Sequence, residues 1–122
     1  MRDHTSLRAW QTARFVALEV LRLARTHWRP WVSAPFGQVT RSALSVQLNI
    51  TEGYSFGDAP SFTRHLRIAY GSALEVADTL ALLRDCGAVD EAGIDRLIAA
   101  NQECRACLVG MLRQRDRWPT RH

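Results

Sequence analysis

The 122-residue chain is 47% hydrophobic and 23% charged, with a formal net charge of +4. That is long enough for one domain to bury about two-thirds of its unfolded surface, and too apolar for disorder. No run approaches the ~20 apolar residues of a membrane-spanning helix, and a charge this mild permits a nucleic-acid partner without requiring one.

The opening stretch "MRDHTSLRAWQ" has no apolar h-region. No signal peptide is therefore expected, the expected location is cytoplasmic, and no membrane partner is foreseen. On that reading the sequon Asn49-Ile50-Thr51 stays unglycosylated. All 16 basic residues are Arg, which binds phosphate bidentately, although a GC-rich genome produces the same bias.

The first helix is expected over residues 6–28, with Thr5 or Ser6 as N-cap and Pro30 beyond its end. The connection "RPWVSAPFG", residues 29–37, holds two prolines and a glycine and cannot be helical throughout. Its Trp31 and Phe36 suit a segment folded back over the core. A second helix is expected over 38–54, ending at Gly53-Tyr54, where glycine lets the chain leave. A third is expected over 61–86, terminated by Gly87, and a fourth over 90–115 with Asp90 and Glu91 in its acidic first turn. Residues 116–122 read as a flexible tail, and the whole chain reads as a single domain.

Helix 3 carries Phe62, Leu66, Ala69, Ala73, Val76, Leu80 and Leu83 at alternating steps of four and three. That is a bundle seam of about 39 Å at 1.5 Å per residue. Helix 4 repeats it with Ile94, Leu97, Asn101, Cys104, Leu108 and Met111. A short turn between two such helices makes an antiparallel hairpin, and two hairpins make an all-α, up-down-up-down four-helix bundle. Phe15, Leu44, Leu48, Ile68, Tyr70, Leu74, Ala81 and Leu82 fall off these seams. So many apolar residues on several helices imply a second buried face, and hence a homo-oligomer.

Helix 2 carries two stripes. Val39, Ala43, Val46, Ile50 and Gly53 face inward, while Gln38, Ser42, Ser45, Asn49 and Glu52 recur beside them. The polar stripe is either a solvated face or, since Leu44 and Leu48 flank it, a subunit contact or water-lined channel.

Few residues suit catalysis. Cys104-Arg105-Ala106-Cys107 is a CxxC inside a helix, and Cys86 lies about 20 Å away along the hairpin, so the three thiols read as small buried hydrophobes. No Glu has a His three residues on, which excludes the di-iron bundle pattern. Glu52 and Glu75 can face one another across helices 2 and 3, with hydrogen bonding as the plainer use. His65, between Arg64 and Arg67, reads as exposed, and Asn101 as a register-setting polar residue. No catalytic, metal or cofactor site follows, and the chain reads as a non-enzyme.

The stretch "SVQLNITEGYSFGDAPSFTRHLRIAYGSALE", residues 45–75, resembles the signature of the four-helix-bundle proteins related to those encoded in 23S ribosomal RNA intervening sequences. The matching positions are Ser45, Asn49, Ile50, Glu52, Gly53, Tyr54, Phe62, Leu66, Ala69, Gly71, Ser72 and Glu75, and "LRAWQTA", residues 7–13, resembles the family's opening. Gln47 replaces the family's proline, and the loop "SFGDAPS" holds Asp58 where Lys and Arg are usual. The resemblance implies a ring, most simply a homopentamer, acting as a scaffold or adaptor, and kinship with the pentameric accessory proteins of diversity-generating retroelements. It brings no enzymatic activity. The polar stripe of helix 2 and this signature together give Gln38, Ser42, Ser45, Asn49, Glu52, Gly53, Tyr54, Gly71, Ser72 and Glu75 as interface or channel candidates. The alternative partner is RNA or a nucleic-acid enzyme. Arg64 and Arg67, with Arg113, Arg115, Arg117 and Arg121 near Trp118, are the candidate contacts, an Arg–aromatic mixture that suits single strands.

Overall fold

The computed structural model describes residues 3–114, and all regular structure among them is helical. Four helices follow one another: α1 (Arg8–His27), α2 (Ser33–Phe56), α3 (Ala59–Asp85) and α4 (Glu91–Arg113). Short 3-10 turns at His4–Ser6 and Pro30–Val32 lead into α1 and α2. Each helix packs on the next and α4 closes against α1. Every adjacent pair is antiparallel, as cross-contacts show: Trp10 with Thr51, Ser45 with Ser72, Asn101 with Ala73, and Arg8 with Glu103. The result is an all-α bundle. Among the described residues, no helix is long and apolar enough to cross a membrane.

Caps mark the starts of α3 and α4 and the ends of α2 and α3. By contrast, α1 starts at Arg8 behind Leu7, which makes no side-chain cap bond, and not at the expected Thr5 or Ser6 cap. Asp58 accepts from the Ser61 amide at 2.8 Å and Asp90 from the Gly93 amide at 2.8 Å, so each satisfies an orphan donor of a first turn. Gly57 (φ 77°) and Gly87 (φ 80°) take the left-handed conformation that ends α2 and α3 without a side-chain penalty.

Helix 2 differs from expectation at both ends. It begins at Ser33, not near Gln38, because Pro35 falls in the first turn, where its missing amide hydrogen has no helical partner to lose. It continues past Gly53 to Phe56, and Gly57 provides the exit instead. The fourth helix is described to Arg113, while the expected tail and Arg115, Arg117, Trp118 and Arg121 lie outside the described residues.

The inward seams are buried as their spacing predicts, from Val39 and Ile50 on α2 to Leu66, Val76 and Leu80 on α3 and Ile94 and Leu108 on α4. The core divides in two. Near the α3–α4 turn, Phe36, Leu80, Leu83, Ile94 and Leu97 fill a wide section. At the other end Ala9, Ala13, Ala69 and Ala73 sit with Ile50, Leu66 and Leu108, and these small side chains let the helices approach closely. Asn101, buried in that narrow part, donates to the Ala73 carbonyl at 3.0 Å.

The cysteines do not behave alike. Cys104 is buried, but Cys86 is exposed and Cys107 intermediate, which corrects the reading of all three as buried. Burial pushes the Cys104 thiol up to about 11, so little thiolate exists there near neutral pH. Alkylation of the native protein at pH 8, followed by peptide mass mapping, should label Cys86 and spare Cys104. Unfolding should expose Cys104 to the reagent. Labelling of Cys104 as fast as Cys86 in the native state would contradict this packing.

Candidate functional site

The polar stripe of α2 meets a matching stripe on α3, and together they form a hydrogen-bonded seam. Glu75 Oε2 accepts from Ser42 Oγ at 2.9 Å and from Gln38 Nε2 at 3.1 Å. Arg41 Nη2 donates to Gln38 Oε1 at 3.1 Å, which fixes that amide with its nitrogen toward the carboxylate. Three residues along each helix, a little under one turn, Ser45 Oγ and Ser72 Oγ lie 2.8 Å apart. Asn49 Nδ2 then donates to the Ser45 carbonyl at 2.9 Å, so its Oδ1 is left to accept from His65 Nδ1, also at 2.9 Å. Because Nδ1 carries the proton, Nε2 is free to accept from Arg64 Nη2 at 3.4 Å.

His65 is therefore buried, with 5% of its surface exposed, and not at the surface as its arginine neighbours suggested. The Phe56 ring stacks on it at 5.4 Å and 19°. Gly53 packs directly beneath. A Cβ placed there would fall 2.6 Å from His65 Cβ and 3.1 Å from Phe62 Cδ1. Only glycine lets α2 and α3 come this close, and that is the reason for its place in the helix interior.

An aromatic clasp closes the same end of the bundle. Tyr54 meets Phe62 edge-on at 5.9 Å and 88°, and His4 contacts both Trp10 and Tyr54. Trp10 Nε1 donates to Thr51 Oγ1 at 3.0 Å, tying α1 to α2. Each of these buried or half-buried aromatics thus satisfies its polar tip or finds a favourable ring geometry.

Among the expected interface residues, Gln38, Ser42, Ser45, Asn49, Ser72 and Glu75 thus bond within one protomer. Glu52 is exposed and does not meet Glu75. Glu75 lies against Ser42, ten residues or about 15 Å along α2 from Glu52, so the two carboxylates form no pair. Gly71 is exposed, and a Cβ added to it would meet nothing within 4 Å. Nothing in the protomer requires glycine there.

Outside the seam, α2 and α3 each carry exposed large apolar side chains. Leu44 and Leu48 on α2, with Ile68, Leu74 and Leu82 on α3, are 39–57% exposed. Gly71 sits among the α3 group. Phe15 and Leu21 on α1 are exposed as well.

The basic residues fall elsewhere. Arg64 is tied to the His65 edge, whereas Arg67 and Arg113 line one groove between α3 and α4 with Tyr70, Val109 and Leu112. Arg105, unremarked in the sequence because it sits within the CxxC, lines the continuation of that groove. Among the described residues, no group of three or more His, Cys, Asp or Glu is placed to hold a metal ion.

The family model described as "23S rRNA-intervening sequence protein" matches residues 5–110. A crystal structure of a protein of unknown function from the S23 ribosomal protein family, from Bacteroides thetaiotaomicron, superposes with a TM-score of 0.79 at 19% identity. The likeness covers 85% of this chain and 97% of that one, and at this identity it speaks for the fold. None of the curated proteins matches the chain.

Proposed function

The chain belongs to the 23S rRNA-intervening sequence protein family, and on that premise we propose that it acts as a non-enzymatic, cytoplasmic scaffold built from several copies of itself. The observation carrying this reading is the apolar outward face of α2 and α3, where Leu44, Leu48, Ile68, Leu74 and Leu82 are left uncovered by the protomer. Exposed large apolar side chains grouped on two adjacent helices favour association over solvation. Gly71, unconstrained within the protomer, lets a neighbouring helix approach that face closely. A helix-interior glycine costs about 1 kcal/mol relative to alanine, and a close contact between copies would offset it.

Five copies is the number implied by the resemblance to pentameric barrels. The polar seam holds α2 and α3 rigid relative to one another, so the face they present is a single surface. Amine crosslinking is ill suited to a lysine-free chain. Carboxylate-directed or photochemical crosslinking at micromolar concentration should instead give a ladder ending at five. A monomer band alone would overturn the reading.

A second reading, nucleic-acid binding, is favoured by one observation. Arg67 on α3 and Arg113 on α4 come from clusters far apart in sequence, yet they line the same groove.

A further inference from the structure

We propose that the α3/α4 groove is a binding site for a nucleotide unit, with Arg105 as its central phosphate contact and Tyr70 as its stacking platform. The proposal rests on the second reading above and gives it a place and a chemistry.

The groove is open and of useful size. Its larger section, about 440 Å³, is lined by Tyr70, Gln102, Arg105, Ala106, Gly110 and Arg113 among others. An adjoining section of about 160 Å³ adds Arg67 and Leu112. The opening has a cause in the sequence. Ala106 and Gly110 stand one turn apart on α4, and a Cβ added at Gly110 would meet nothing within 4 Å.

The charge in the groove is one-sided. Arg67, Arg105 and Arg113 line it, and among the described residues no Asp or Glu does. Outside the groove, among the described residues, Arg8 pairs with Glu103, Arg22 with Glu19, and Arg84 with Asp85 and Asp95, while Arg14, Arg25, Arg29, Arg41, Arg64 and Arg96 have no acidic partner. None of the three groove arginines pairs with an acid among the described residues. Arg105 differs further, because its Nε is buried and has no hydrogen-bond partner there. A buried N–H without an acceptor is unfavourable, and a turn of the Arg105 side chain toward an anion in the groove would bring that N–H an acceptor. Guanidinium forks match phosphate oxygens bidentately, which makes a phosphate ester the fitting anion.

The rest of the lining selects for more than phosphate. The Tyr70 ring and the aliphatic Val109 and Leu112 offer a flat apolar patch beside the cations. Arginine beside an aromatic ring is the arrangement that holds a phosphodiester with its base stacked, tolerant of base identity. Gln102 can hydrogen-bond a base edge or sugar. The shared chemistry is a phosphate ester carrying a stackable base, which comes either as part of a single strand or as a free nucleotide.

The test titrates the full-length protein with a fluorescent single-stranded RNA 10-mer and, separately, with a 5′-mononucleotide. The native chain and two variants, Arg105→Leu and Gly110→Leu, are compared. Gly110→Leu fills the groove from open space and removes no charge, so it separates blocking from loss of a cation. Circular dichroism verifies that both variants keep native helix content.

The expected result is binding that weakens about a hundredfold for a tenfold rise in salt, as three phosphate contacts on a single strand imply. Both variants should weaken it by tenfold or more. Tighter binding of the strand than of the mononucleotide assigns the site to a strand, and the reverse assigns it to a free nucleotide. RNA binding left unchanged by both variants would overturn the groove while sparing the second reading. No binding of either ligand by the native chain at low salt would overturn both.

Discussion

Leu48→Glu combined with Leu82→Glu should convert the assembly into monomers that keep their native helix content. In the isolated protomer these side chains are 56% and 57% exposed, so the fold itself loses little when they become polar. Within an assembly the effect is large. Each leucine, already partly buried in the protomer, loses roughly 1–1.5 kcal/mol of burial, and each carboxylate adds a desolvation penalty of several kcal/mol if the interface tries to close over it. Association should weaken by more than a thousandfold. Sedimentation velocity checks the mass and circular dichroism the fold. Retained assembly would show that copies meet through another surface, with Phe15 and Leu21 on α1 the next apolar group to test. Unfolding would show that the face supports the protomer itself.

Gly53→Ala should destabilise the protein by about 3 kcal/mol, near the upper end of what overpacking a core costs. The added methyl would stand 2.6 Å from His65 Cβ, an atom fixed to the α3 backbone, so it cannot be avoided by a rotamer change. The helices would have to separate. That would stretch the Asn49–His65 hydrogen bond and disturb the stacking of Phe56 on His65. For a chain of this length such a loss lowers the melting temperature by about 10 °C. Gly110→Ala is the matched control, because its Cβ would meet open space and alanine is the better helix former. It should melt at or slightly above the native temperature. Equal melting of the two variants would show that the α2/α3 approach is looser than the geometry indicates.

The two glycines also show what a sequence can and cannot reveal. Gly53 lies on the inward stripe of helix 2, yet it reads naturally as a helix stop, because the residues after it look like a loop. Its true reason is a neighbour on another helix, His65, and local propensity carries no information about that. The apolar seams were legible, since a 3-4 spacing sustained over a whole helix leaves no second interpretation.

The polar stripe of helix 2 was visible as a pattern, but the pattern does not say what faces it. One signal existed in the sequence. Asn49 with His65, Ser45 with Ser72, and Ser42 with Glu75 are the pairs that an antiparallel hairpin closed near Gly57 brings level. Applying that register would have moved His65 from the surface to the seam and separated Glu52 from Glu75. Arg105 was masked differently. Two flanking cysteines drew attention to metal chemistry, and the groove it lines exists only because α3 brings Tyr70 and Arg67 beside α4.

In the proposed assembly the exposed leucines and Ile68 of α2 and α3 are covered by further copies of the same chain. Native mass spectrometry of the full-length protein at micromolar concentration measures this directly. The expected result is a dominant species containing five 13.8 kDa chains, and a population that stays at a single 13.8 kDa chain would contradict assembly through this face.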